Sequence, residues 1–238
     1  MLKSRLAPLA YAGLLLSLVA APAFAQTATP AAPATPTAAA VGTDVSQQQQ
    51  IEGGLQSGAL TTKEAAKLEN GEKRIDNVEA KDMKTGGTLT PAEQTQINTM
   101  QNNEQTRINK LSTNATTGNP NSVSSQRMQG DVQRNVTQEQ RIQNGVNNGT
   151  LTNKQAGRLE KGQARTARKE AAAGANGHIS AAGQARIQKS EDRQSGHVYR
   201  AKHNVVPAPT TVAPAVAPVV APAAAPVAPA APATPAAQ

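Results

Sequence analysis

The chain has 238 residues and a formal charge of +8, with no cysteine, no tryptophan, two tyrosines and one phenylalanine. The missing thiols exclude disulfides, a lipid-acceptor cysteine, thiol catalysis and thiolate metal sites. Sparse Leu, Ile, Val and Met beside abundant Ala, Gln, Asn, Thr and Gly exclude a large apolar core, so whatever folds is helical and thin-cored.

Residues 1–25 read as a secretory signal peptide. Lys3 and Arg5 form a charged start, Leu6 to Ala21 an apolar stretch, and Ala23-Phe24-Ala25 a small-x-small cleavage site before Gln26. The expected product is an exported protein, periplasmic or extracellular, with no transmembrane segment after signal removal. Residues 26–43 form an Ala/Pro/Thr-rich stretch and 205–238 an Ala/Pro/Val-rich tail. Both lack helical or strand periodicity and read as disordered flanks.

Between the flanks one motif recurs. Gly58-Ala59-Leu60-Thr61-Thr62-Lys63-Glu64, Gly87-Thr88-Leu89-Thr90-Pro91-Ala92-Glu93 and Gly149-Thr150-Leu151-Thr152-Asn153-Lys154-Gln155 share its form, and Gly177-His178-Ile179-Ser180 is a worn copy. Gly closes the preceding helix, Leu anchors the corner, and Thr caps the next helix, with Glu or Gln three residues on completing a capping box. The caps are Thr61 with Glu64, Thr90 with Glu93, and Thr152 with Gln155.

Longer stretches also pair. Gln47 to Ile51 matches Gln138 to Ile142, and Leu68-Glu69-Asn70-Gly71 matches Leu159-Glu160-Lys161-Gly162. The pattern predicts an all-α protein of two tandem three-helix modules that arose by duplication, at 44–112 and 127–204, joined by a loop over 113–126. The helices are expected near 47–56, 62–84 and from Pro91 onward, then near 138–148, 153–173 and 181–202. Ser46 and Thr137 are candidate caps. The apolar faces carry Ala65, Leu68, Ile75 and Val78, then Ile97, Met100, Ile108 and Leu111, and more weakly Ala156, Leu159, Ala173, Ile187 and Val198.

The corner spacing resembles the second half of an EF-hand calcium loop, in which Gly is sixth, an apolar residue eighth and Glu twelfth. Gly87, Leu89 and Glu93 take those places, as do Gly58, Leu60 and Glu64. The earlier ligand positions do not match. They hold Asp82, Lys84 and Gly86 in one loop, Gly53, Leu55 and Ser57 in another, and Asn144, Val146 and Asn148 in the third. A degenerate EF-hand-like divalent-cation binder is therefore an alternative reading.

The pattern Gln-x-x-Ile…Gly-x-Leu-Thr-x-x-Glu…Leu-Glu, closing on Ser195…Val198-Tyr199…Lys202-His203-Asn204, resembles a group of small exported proteins of Gram-negative bacteria. That resemblance implies secretion and a helical repeat, and brings no activity with it.

No nucleophile elbow, phosphate-binding loop or dinucleotide fingerprint appears, and no cofactor is expected. His178, His197 and His203 lack the spacing for a helical metal site, and no metal ligands are assigned. Asp76 and Glu79, among Lys73, Arg74 and Lys81, read as ion pairs on a helix surface. Charge is uneven along the chain, with fourteen basic and six acidic residues from Arg127 to Asn204. Arg158, Lys161, Arg165, Arg168 and Lys169 form a basic stripe on one helix. They could contact a polyanion, pair with the more acidic first module, or simply be solvated. With few aromatics to stack bases, nucleic acid is a poor candidate. The expected protein is a non-enzymatic interaction or structural module of the envelope, with an envelope protein or an anionic surface as partner.

Overall fold

A computed structural model describes residues 35–85 and 87–203. The expected signal peptide, residues 26–34 of the expected linker and the expected C-terminal tail over 205–238 lie outside the described residues. Six helices follow in order: α1 Pro36–Ser57, α2 Thr62–Asp82, α3 Pro91–Ser112, α4 Val123–Asn147, α5 Asn153–Gly174 and α6 Ala181–His203, with a short 3-10 turn at Met83–Thr85. No strand occurs among the described residues, so the fold is all-α.

Each corner is made by local hydrogen bonds. Thr61 Oγ1 accepts from Glu64 N at 3.2 Å while Glu64 Oε2 accepts from Thr61 N at 3.0 Å. Thr90 and Glu93 make the same pair, as do Thr152 and Gln155. Gly58 ends α1 at φ 77°, a left-handed conformation that costs a glycine little. Leu60 and Leu151 then turn back under the helix just ended, their N–H groups each donating at 2.8 Å to Gly54 O and Gly145 O.

Two helices start earlier than the sequence pattern suggests. α1 begins at Pro36, with Thr35 as its N-cap, so residues 36–43 are helix rather than linker. Ala38, Ala40 and Val41 are strong or tolerable helix formers with no exposure above 1%; their helix is stabilised by packing that a composition count does not register. α4 begins at Val123 with Ser122 as N-cap, shortening the loop expected over 113–126 and extending the helix expected over 138–148. Ser46 and Thr137 are thus mid-helix, and their hydroxyls donate to the carbonyls of Gly42 and Gln133 instead of capping.

The two triplets of helices are interlocked rather than side by side. α2 runs antiparallel to α5 in the most extensive contact of the fold, and α1 runs antiparallel to α4. Gly157 approaches Ala80 and Met83 at one end, and Gly174 approaches Thr62 and Ala66 at the other. α3 covers α1 and α2, while α6 covers α4 and α5.

Both apolar clusters mix the triplets. One gathers Val41 of α1, Ile97 of α3, Ile142 of α4, Leu159 of α5 and Val198 of α6. The other joins Leu55 of α1, Leu68 of α2, Ile108 of α3 and Val132 of α4 with Ile179. They occupy opposite ends of the bundle, and the middle is polar.

Candidate functional site: a cationic groove over an acidic core

Charge in this fold is sorted by depth. Thirteen of the sixteen acidic residues are buried, leaving Glu52, Glu93 and Asp192 as the exceptions, whereas no lysine or arginine among the described residues is buried. Three ion pairs occur among the described residues: Arg107–Glu104, and Arg134 with both Glu191 and Asp192. The surface is therefore far more cationic than the sequence sum of +8 suggests.

The buried acids line the polar middle. Asp76 is 4% exposed and Glu79 fully buried, which corrects the expectation that both form ion pairs on a helix surface. They share α2 with Lys73, Arg74 and Lys81, but the antiparallel approach of α5 puts the two carboxyls inside and leaves the cations at the rim.

Amides satisfy part of this interior. Gln101 Nε2 donates to Ala40 O and to Asp44 Oδ1, both at 2.9 Å, and approaches Glu79 Oε1 at 3.3 Å. Gln48 Nε2 donates to Glu69 Oε2 at 3.3 Å, Asn135 Nδ2 to Glu170 Oε2 at 2.9 Å, and Gln184 Nε2 to Asp131 Oδ1 at 2.6 Å.

Other acids crowd one another: after burial, the Asp44 charge raises Glu79 and the Glu69 charge raises Glu170. Burial pushes Asp44 up to about 6 and Glu69 to about 7, partly offset by the hydrogen bonds each accepts. Burial, then neighbouring carboxylates, holds Glu72, Asp76, Glu79, Glu160 and Glu170 well above the usual carboxylate range. Glu139 goes the same way, through burial first and then Asp44.

On the outside, the five residues of the basic stripe line one groove between α5 and α6. Its central part, about 490 Å³, is walled by Lys161, Arg165, Arg168 and Lys169 from α5, Arg193 and His197 from α6, and Lys73 from α2. It continues toward Arg158 and Arg200 at one end and toward Arg186 and Lys189 at the other. None of the stripe residues makes an ion pair with a carboxylate. Lys169 is pushed below its usual range by burial first and then by the charges of Arg193, Arg168 and Arg165.

The groove partners on α6 escape a sequence reading confined to one helix. Arg186, Lys189, Arg193, His197 and Arg200 recur three or four residues apart, and that periodicity was the available signal. The histidines serve separate places. His197 Nδ1 meets Arg200 Nη2 at 3.2 Å, His178 Nδ1 meets Ser124 Oγ at 3.2 Å, and His203 stacks on Tyr199 at 4.0 Å. At the EF-hand-like corners Glu64 and Glu93 are engaged in their capping boxes, with Glu64 also accepting from Asn114 Nδ2 at 2.8 Å. No helix among the described residues is long and apolar enough to cross a membrane. The chain matches no family model, no curated protein and no solved structure.

Proposed function

We propose that this is an exported, non-catalytic helical protein that docks through the α5–α6 groove on a phosphate-bearing anionic surface of the cell envelope. One observation carries the reading: acids turned inward and bases turned outward leave a continuous groove of cations without carboxylate partners. Crowded like charges repel one another, and an external polyanion relieves that repulsion while releasing its own counterions. The groove is open and lined by long, flexible side chains, which suits a repeating charged surface better than one small substrate. Tyr199 is the one aromatic among the described residues, so stacking on nucleic-acid bases has little to work with.

The test is sedimentation of the mature chain with phosphatidylglycerol vesicles and with neutral phosphatidylcholine vesicles over a salt series. Binding is expected only to the anionic vesicles, falling steeply as salt rises. Lys161→Glu with Arg165→Glu should abolish it while the helical signal and melting temperature remain. Equal binding to neutral vesicles, or no response to salt, contradicts the reading.

A further inference from the structure

We infer that Asp44 of α1, Asp76 of α2 and Glu160 of α5 form a buried binding site for a hard divalent cation of calcium size. A carboxylate oxygen from each of the three lies within 4.8 Å of the others. An ion that holds its oxygens at about 2.3–2.6 Å separates any two of them by no more than roughly 5 Å, so the three fit around one centre.

The cluster does not stand on proximity alone. Glu160 is fully buried, yet neither of its carboxylate oxygens has a hydrogen-bond partner, and Asp44 Oδ2 has none. Beside them Glu72, 1% exposed, also leaves both oxygens unpartnered, and Asp44 is the charged group that acts on it most strongly. An unpartnered buried polar oxygen is costly, and a carboxylate more so. Here several from three helices converge, and neither Asp76 nor Glu160 makes an ion pair.

The donor chemistry narrows the ion. All candidate ligands are carboxylate oxygens, which favour calcium or manganese over zinc and copper, whose preferred imidazole and thiolate ligands are missing here. Three carboxylates, some bidentate, approach the six to eight oxygens that calcium takes. The ion would bridge α1, α2 and α5, tying the two helix triplets together at the polar middle of the bundle. Because the site is enclosed, the ion is taken up as the helices close around it, which couples binding to folding.

This site is separate from the EF-hand-like corners, and the experiment tells them apart. The mature chain, stripped with chelator, is titrated with calcium chloride at pH 8 by calorimetry and by thermal melting. One ion per chain and a calcium-dependent rise in melting temperature are expected. Asp76→Asn and Glu160→Gln should each weaken binding at least tenfold, whereas Glu93→Gln at a corner should leave it unchanged. If a core variant does not fold, manganese added to the unaltered protein still decides the matter. Paramagnetic broadening should centre on the amides of Asp44, Asp76 and Glu160 and spare Thr90 and Glu93. Failure of the unaltered chain to bind calcium at pH 8, or retention of affinity in both core variants, overturns the site. So does broadening centred on the corners.

Discussion

Glu69 of α2 and Glu170 of α5 face each other inside the bundle, both fully buried, and burial first and then the Glu69 charge push the Glu170 carboxyl well above its usual range. Glu69 is steadied by Gln48 Nε2, and Glu170 by Asn135 Nδ2. Two buried carboxylates repel one another, so the pair is most stable while one of them is protonated. Replacing Glu170 with Gln supplies a permanent N–H donor of nearly the same shape. A net gain of about 1 kcal/mol at pH 8, the usual worth of one hydrogen bond, is expected, with little change at pH 5. Urea midpoints at the two pH values measure it; destabilisation at pH 8 would show that the proton is not what holds the pair.

The corner boxes make a second prediction. Thr90→Ala or Thr152→Ala removes an acceptor for an N–H of the first helical turn. Each should lower stability by about 0.5–2 kcal/mol in denaturant titration. Melting curves that coincide with the parent would mean that water caps these helices equally well.

Adjacent glycines of α1 give a paired test. A Cβ at Gly54 would fall 2.7 Å from Leu60 Cδ1, whereas at Gly53 it would meet nothing within 4 Å. Gly54→Ala should therefore destabilise by roughly 1–3 kcal/mol through overpacking. Gly53→Ala should stabilise by about 0.5–1 kcal/mol, since Gly is a poor helix former. The opposite order of melting temperatures would contradict the placement of Leu60 under α1.

These sites show what the sequence makes legible. The corners are readable because Gly, Leu, Thr and Glu act within seven residues of one another, through hydrogen bonds that local spacing determines. The five-residue stripe on α5 is readable for the same reason. Asp76 and Glu79 are not, because the rule that pairs charges three or four residues apart knows nothing of the helix arriving antiparallel on that face. The early start of α1 is hidden likewise. Ala38 to Val41 look like linker until α4 is in place, with Gln143 against Gly42. The apparent acidity of the first half is misleading for a related reason, since most of its carboxyls never reach the surface.

A fourth prediction concerns the rim. Arg134 holds Glu191 at 3.0 Å and reaches Asp192 at 3.4 Å, linking α4 to α6. Glu191 is 1% exposed, and burial still pushes it up to about 8 despite this cation. Arg134→Met removes the counter-charge from a buried carboxylate; because the Arg134 side chain is itself 47% exposed and screened by water, a loss of about 1 kcal/mol is expected at pH 8.5, where Glu191 would otherwise ionise. At pH 5 the carboxyl is neutral and the loss should be much smaller. A loss independent of pH would assign Arg134 a packing role instead.

The sorting of charge, acids inside and bases outside, is the claim on which the rest depends, and stability against pH tests it most directly. Burial raises Glu69 and Asp131 to about 7 and Glu191 to about 8. Carboxyls raised in the fold stabilise it fully below their unfolded value near 4, and that contribution is lost as pH climbs through the folded values. The melting temperature of the chelator-treated protein should therefore be highest near pH 4–5 and fall continuously toward pH 8.5. A melting temperature that is flat, or that rises with pH as acid-labile proteins show, would contradict the acidic interior.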